Sequence, residues 1–466
     1  MSDIITELQK LLDPGGVLTG EDVSNRVGGW AEGPCEAAAI VRPRNTDEVA
    51  AILKLCHQHN QSVVTQGGKT GMVRGCLASP GDIALSLERM TTIEDIDSLN
   101  GTMTVQAGVP LQAVQEAAKQ AQLNYSMDLG ARGSATIGGT IATNAGGNRV
   151  IRHGMTRQLV LGLEAVLADG TVISSMNKMI KNNAGYDLKQ LFIGSEGTLG
   201  IVTRAVLKLN PAPRSQQTAL VAADTFEAVT GLLRHCHSGL GGQLCAFEVM
   251  WNNYYQLVTE EGPHYKKPPI PRDKPFYVLV ETMGIDPDKD GETFEQVLGD
   301  ALEQGLINDA VIAQSHSERD ALWAIRDNIE ALFNLYPYYA FDISLPLDSM
   351  QDYLLELEQL LLEQWPAMRH VVFGHLGDGN LHVVVSVNDD SPEARNQVEQ
   401  VVYSTLEVRG GSISAEHGIG LEKRNFLHHS RNEQELTLMK LLKITLDPKN
   451  LLNPGKVVDI TSQSDR

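Results

Sequence analysis

Glycine constrains this chain before anything else does. It carries 43 glycines, densest between residues 67 and 200. Glycine weakens helix and strand interiors, but it lets backbone N–H groups approach an anion or a planar ligand with no Cβ in the way. The glycines fall into three stretches. The first, Gln66-Gly67-Gly68-Lys69-Thr70-Gly71, follows the short strand expected over Ser62 to Thr65. The second runs from Gly130 to Gly147 and alternates small residues with hydroxyl and amide side chains, a pattern able to lie flat against a large planar cofactor. The third, Asn183 to Leu188 and then Ile193-Gly194-Ser195-Glu196-Gly197-Thr198-Leu199-Gly200-Ile201-Val202-Thr203, leads into a strand. None of them spells G-x-x-x-x-G-K-[ST] or a G-x-G-x-x-G opening a helix, so a P-loop and a Rossmann fingerprint are both excluded. Alone, the first stretch also fits an ordinary hairpin turn.

Two later segments carry chemistry. In Gly374-His375-Leu376-Gly377-Asp378-Gly379-Asn380-Leu381-His382, an apolar run enters a tight glycine turn and a second apolar run leaves it. Two strands are expected, with one histidine closing the first and one opening the second, so both imidazoles can face one small volume. Ser414-Ala415-Glu416-His417-Gly418-Ile419-Gly420 adds a carboxylate and a third imidazole. Two imidazoles and a carboxylate suit a divalent transition metal with room left for substrate. Whichever of Glu416 and His417 does not bind metal is then free to move a proton. Either segment alone also reads as a glycine-rich turn with satisfied histidines.

The length of 466 residues implies two or three domains. A formal net charge of −20 argues against nucleic acid or an anionic membrane as partner. The five cysteines form no C-x-x-C pair and are odd in number, which fits a reducing compartment rather than a disulfide framework. The acidic start lacks the regions of a signal peptide, and no uncharged apolar run reaches the ~18 residues of a membrane span. A soluble cytoplasmic protein is expected.

Helices are expected over residues 4 to 12, from Thr46 (as cap) through Val49, Ile52, Leu53 and Cys56, and from Pro110 to about Gln122. Asn210-Pro211-Ala212-Pro213-Arg214 marks the main boundary. Beyond it strands alternate with helices, including one over Glu318 to Phe333, which suggests an antiparallel sheet covered on one face. The proline-rich, basic stretch from Gly262 to Pro275 is expected to be solvated surface.

The three glycine stretches, in this order, resemble the FAD-binding domain of the vanillyl-alcohol oxidase type, also called PCMH-type. The two histidine segments, with Asp447-Pro448 and Asn453-Pro454-Gly455-Lys456, resemble the C-terminal domain of FAD-linked D-2-hydroxy acid dehydrogenases, near those acting on D-2-hydroxyglutarate and D-lactate. The resemblance runs from about Val41 to Val457. It implies an α+β fold: an FAD-binding domain over 1–212, a substrate and metal domain over 213–440 built on an antiparallel sheet covered by helices, and a segment over 441–466 returning to the first domain. It implies that Gln66, Gly67, Gly68, Lys69, Thr70 and Gly71 hold the FAD pyrophosphate. Ser134, Ile137, Gly138, Ala142, Thr143, Asn144 and Gly147 then line the flavin and ribityl chain. Glu196, Gly197 and Ile201 contact the adenosine half, and Asn453 and Lys456 return to the flavin. Relatives with covalent flavin carry a histidine in the first loop; positions 65 to 71 hold none, so noncovalent FAD is expected. The resemblance further implies His375, His382 and Glu416 as ligands to a divalent metal, zinc first and manganese second. It makes His417 the base and Arg326 the grip on a substrate carboxylate. A separate electron acceptor, an electron-transfer flavoprotein or a quinone, and a homodimer are expected.

The chain departs from glutarate-specific relatives at two places. They carry a lysine shortly before the Asp-(Ile/Leu)-Ser-Leu-Pro segment, where this chain reads Tyr339-Ala340-Phe341-Asp342, and a polar residue after the second metal histidine, where it has Val383-Val384-Val385. Both departures favour a smaller or more apolar 2-hydroxy acid such as D-lactate. The reaction expected is hydride transfer from C2 to flavin N5 while a base takes the hydroxyl proton. Three other readings compete: a flavin oxidase of the same fold using oxygen, a metal-dependent hydrolase with the same ligands, and a non-catalytic flavin-binding subunit. The hydrolase leaves the glycine-rich half unexplained, and the intact ligand and base set argues against the subunit.

Overall fold

A computed structural model describes residues 2–260 and 266–460, and the chain divides into two compact units. The first comprises residues 1–147, 154–212 and 416–466; the second comprises 148–153 and 213–415. The return to the first unit thus begins at Glu416, ahead of the 441 expected, because the backbone of Ile419 and Gly420 is hydrogen-bonded to Glu196 and Leu421 N–H to Val73.

The two larger sheets of the first unit share one main hydrophobic core. The smaller places Val17–Leu18, Ala39–Val41, Ile83–Ser86 and Val63–Gln66 side by side in that order, and its last three strands run parallel. The helix Thr46–Gln58 buries Val49, Ile52, Leu53 and Cys56, as their spacing predicts. Its cap is Asn45 rather than Thr46: the Asn45 side chain accepts from Glu48 N–H, while the Thr46 hydroxyl donates to Glu164. The larger sheet is antiparallel, in the order Ile93–Asp97, Thr102–Gln106, Ile201–Lys208, Val160–Val166, Val172–Ser175. Each glycine stretch adjoins one of these strands or the short helix Ile137–Ala142, so flexible backbone is anchored on rigid structure.

The second unit is a seven-stranded antiparallel sheet. Its strands are β1 (Ser215–Ala223), β2 (Leu244–Trp251), β3 (Phe276–Gly284), β4 (Asp309–Ile312), β5 (Tyr339–Ser344), β6 (Arg369–His375) and β7 (Asn380–Ser386), ordered β4-β1-β3-β2-β6-β7-β5. Both faces are apolar and both are covered, where the sequence pattern suggested one. Phe226 of the helix Phe226–Gly239 packs against Trp251 and Phe276 on one face. On the other, Tyr254, Tyr255 and Val258 join Leu322 and Ile325 against Leu220, Tyr277, Leu279, Phe373 and Val384. The helix expected over Glu318 to Phe333 ends at Arg326, and a 3₁₀ segment, Ile329–Leu335, follows. The basic stretch from Gly262 lies partly outside the described residues; Arg272 and Lys274 within it bond Thr259 and Asp224. All five cysteines are free thiols. Among the described residues no helix is long and apolar enough to cross a membrane.

The C-terminal motif is fastened by a buried pair. Lys443, 2% exposed, donates to Asp447 at 2.6 Å and to the carbonyls of Thr198 and Leu452. Asp447 also accepts from Leu451 and Leu452 N–H. Burial lowers the Lys443 pKa, and Asp447 opposes the shift. Removing one partner of such a pair leaves the other buried and unpaired. Lys443→Ala is therefore expected to destabilise the first unit by about 3–5 kcal/mol, read as a lowered calorimetric transition. An unshifted transition would show that the pair does not hold the segment.

Candidate active site

The glycine stretches of the first unit converge on one cleft with an empty volume of about 1490 Å³, its open mouth included. Gly67, Gly68, Lys69, Thr70 and Gly71 line it from one side, and Gly138, Ala142 and Thr143 from another. Glu196, Gly197 and Ile201 add the third stretch; Glu416, His417 and Asn453 come from the returning chain. The walls are largely backbone and small side chains. A Cβ on Gly68 would lie 1.9 Å from the Ser134 carbonyl oxygen, so the first two stretches touch only because position 68 is glycine. Thr65 also lines the cleft, and its hydroxyl oxygen is buried with no partner in the protein. An orphaned hydroxyl in a cleft of backbone donors fits a bound phosphorylated cofactor.

The other residues assigned to the cofactor stand behind this wall. The Gln66 amide donates to Cys76 O, Ile137 is core, and Ser134 is exposed. Asn144 accepts from Arg157 N–H, and Gly147 packs on the Asp128 carbonyl. Lys456 donates to Leu77 O, and burial pushes its pKa down to about 8. Sequence reasoning missed Thr65, Met72, Val73, Cys76, Thr136 and Gly146 in the lining. Thr136 and Gly146 sit within the second glycine stretch and Thr65 and Met72 flank the first, while Val73 and Cys76 lie just beyond it with no signal of their own.

Asn453 clips the cleft together. Its side chain accepts from Thr65 N–H at 2.9 Å and donates to Glu196 O at 2.6 Å, joining the strand before the first loop to the third. The Glu196 carboxylate accepts from Ile419 N–H at 2.7 Å and Gly420 N–H at 2.9 Å; burial raises its pKa, and these two bonds oppose the shift. Glu416 follows Ala415, where the chain passes from the second unit to the first, and packs on Gly146.

In the second unit His375 closes β6 and His382 lies on β7, joined by a 3₁₀ turn that ends at Gly379 with φ 84°. Their rings stand 5.3 Å apart, edge to face. Behind His375 lies Glu248 of β2, whose carboxylate is 2.8 Å from Nδ1 and is also held by Arg326. Burial alone would raise the Glu248 pKa, but His375 and Arg326 outweigh it and hold the carboxyl below its ordinary value. Arg326 is buried, with its guanidinium 5.0 Å over the Phe373 ring and Nη2 3.4 Å from His375 Nε2. Asp342, directly across from His382 in the sheet, stands 4.0 Å from His382 Nδ1 and accepts from Asn380. Sequence reasoning missed Glu248. Its signal was a lone carboxylate in the otherwise apolar strand Leu244–Trp251.

Two variants probe the cleft. Gly68→Ala should purify without flavin. Asn453→Ala loses both clip bonds and should raise the FAD Kd by roughly ten- to hundredfold, at about 1.4 kcal/mol per decade, measured by fluorescence titration of the apoprotein. Unchanged affinity in both would place the cofactor elsewhere.

Comparison with known proteins agrees with this architecture. Residues 37–175 match the FAD binding domain family and residues 212–457 the C-terminal domain of FAD linked oxidases. The chain is 42% identical over 421 residues to the mitochondrial D-2-hydroxyglutarate dehydrogenase of Bos taurus, covering 90% of this chain and 76% of that protein. It is 38% identical over 435 residues to the D-2-hydroxyglutarate dehydrogenase of Xanthomonas citri pv. viticola (92% and 90% covered). With that of Stutzerimonas stutzeri it shares 35% over 464 residues (97% and 98%). Among solved structures, p-cresol methylhydroxylase with substrate bound superposes with a TM-score of 0.78 at 15% identity, covering 99% of this chain and 98% of that one. Alkyldihydroxyacetonephosphate synthase gives 0.74 at 16%, covering 97% and 86%. At such identities the structures speak for the fold, and the sequence relatives for the family: this chain belongs to the FAD-linked D-2-hydroxy acid dehydrogenases.

Proposed function

We propose that the protein oxidises a D-2-hydroxy acid to the 2-oxo acid, with noncovalent FAD in the first unit's cleft and a divalent metal, zinc before manganese, held by His375, His382 and Glu416. The observation that carries this reading is the histidine pair: two imidazoles facing one volume, the first backed by a buried carboxylate and flanked by a buried arginine. A histidine backed by a carboxylate at one ring nitrogen is the usual design of a metal ligand, and Nε2 of His375, with Arg326 Nη2 3.4 Å away, is the nitrogen turned from Glu248. Bound FAD supplies the hydride acceptor for C2, and a bound metal supplies a Lewis acid for the hydroxyl and one carboxylate oxygen. The chain's own groups do the rest. His417, lining the cleft, takes the hydroxyl proton. Arg326 donates to the C1 carboxylate through its planar fork. A separate acceptor, an electron-transfer flavoprotein or a quinone, then reoxidises the flavin, and the working form is a homodimer in the cytoplasm.

The names of the relatives support D-2-hydroxyglutarate as substrate. A second reading rests on the sheet itself. Ala340 and Val384 are direct partners across β5 and β7, one pair removed from Asp342 and His382 and on the same face. The two departures noted in the sequence are thus one place in the fold, an apolar pair beside His382. Val384 is core and Ala340 is exposed, so Ala340 is the member of the pair that can face a substrate tail, and its methyl favours an uncharged one, such as that of D-lactate or D-2-hydroxybutyrate.

Anaerobic flavin bleaching against D- and L-2-hydroxy acids separates these readings. D-isomers should bleach the flavin and L-isomers should not, with D-lactate or D-2-hydroxybutyrate rivalling D-2-hydroxyglutarate in kcat/KM. A hundredfold preference for the dicarboxylate would show that the Ala340–Val384 wall does not govern specificity. His417→Ala should slow flavin reduction by about 10²–10⁴-fold with little change in substrate affinity; an unchanged rate moves the base elsewhere. Ala at His375, His382 or Glu416 should abolish turnover with FAD still bound, and full activity after exhaustive chelation would remove the metal from the mechanism.

A further inference from the structure

Glu248 is 1% exposed, and both of its carboxylate oxygens are in use. Oε1 and Oε2 both lie 2.8 Å from His375 Nδ1, and Oε2 also accepts from Arg326 Nε at 2.9 Å and pairs with Nη2 at 2.8 Å. The contact with His375 runs between register partners of neighbouring strands, Glu248 on β2 and His375 on β6, so the sheet fixes it. A carboxylate is an acceptor only. The imidazole nitrogen against it therefore carries the proton, which leaves the lone pair on Nε2 at the opposite edge of the ring. The same carboxylate fixes the plane of the Arg326 guanidinium, whose other face rests on Phe373. Across the sheet from His382, Asp342 Oδ1 stands 4.0 Å from its Nδ1.

We propose that Glu248 is the positioning residue of this site. It selects the Nδ1–H tautomer of His375, presents Nε2 for metal ligation, and aims Arg326 at the substrate carboxylate, so that one buried group sets both anchors. The proposal rests on the metal reading above. The competing view makes Glu248 a purely structural ion pair, tying Arg326 to the sheet with no say over the ring. Glu248→Gln tells the two apart because the amide is close in shape but offers one acceptor and one donor. Arg326 presents only donors and claims the amide oxygen. The NH₂ group then faces His375 Nδ1 beside the amide oxygen, repels an Nδ1–H and shifts the ring toward the Nε2–H tautomer, whose proton blocks a metal.

The test uses the FAD-loaded full chain labelled with ¹⁵N-histidine, stripped of metal and recorded at a pH above the histidine range, with His375→Ala to assign the ring. Wild type should show Nδ1–H at His375, and Glu248→Gln should show Nε2–H. Zinc titration of both forms should then give a Kd ten- to hundredfold weaker in Glu248→Gln, with KM for 2-hydroxy acids raised as well. An Nε2–H ring in wild type overturns the proposal, whether or not the variant folds. So does Glu248→Gln with the wild-type tautomer and zinc affinity, which leaves the metal reading standing. If the tautomer switches as expected but neither form takes up zinc, the metal reading falls and the positioning of His375 by Glu248 stands.

Discussion

A carboxylate taken out of water must be met by donors, or it costs several kcal/mol. This molecule places such carboxylates where distant parts of the chain have to be held. Glu196 accepts from Ile419 and Gly420, Asp447 from Lys443 and two backbone N–H groups, and Glu248 from His375 and Arg326. Glu281, fully buried on β3, is met by Arg149 at 2.5 Å, Trp323 Nε1 at 2.7 Å and the Thr218 hydroxyl at 2.7 Å. Arg149 belongs to the six-residue piece, 148–153, that leaves the first unit and rejoins it. Its ion pair, with Arg152 donating to the Gln243 carbonyl, fastens that piece to the second unit's sheet. Most of these contacts span tens to hundreds of residues, so the sites assemble only when the long-range fold is complete.

The same chemistry explains which parts could be read in the sequence. Glycine spacing announced the cleft, because a backbone-lined site needs residues without Cβ and position 68 tolerates nothing larger. Apolar runs on either side of the glycine turn announced the hairpin of His375 and His382, and the prolines of Asn210 to Arg214 fall where the two units divide. What stayed hidden depended on partners far away. Asn45 and Thr46 are both good caps, and only the competing bond from Thr46 to Glu164 decides between them. The apolar spacing of Leu322, Ile325 and Leu332 runs on past the true end of its helix, because the 3₁₀ segment that follows buries the same face. Glu248 and Glu281 were each a single charge in an apolar strand, visible as anomalies but without partners until the sheet order was known.

The sheet order also bears on what the second unit can bind. Around His382 on its own face lie Asp342, its partner across the sheet, and the largely apolar Phe373, Val384, Tyr254 and Ala340, with the Tyr254 hydroxyl donating to the Arg326 carbonyl. Among the described residues, Arg326 is a cation beside His375 on this face, and Glu248 already neutralises part of its charge. Under the proposed reading, a C1 carboxylate meeting Arg326 would approach a shared, roughly neutral pair, and a metal would supply most of the remaining attraction. Val384 is core, so a substrate tail would meet this pair at Ala340, where a methyl or ethyl group would gain about 0.8 kcal/mol per buried carbon and a second carboxylate would gain nothing from the alanine methyl. If the protein does take a dicarboxylic substrate, the partner for the far carboxylate must lie off this face, and the orientation of the bound acid is set by where that partner is rather than by the Ala340–Val384 wall.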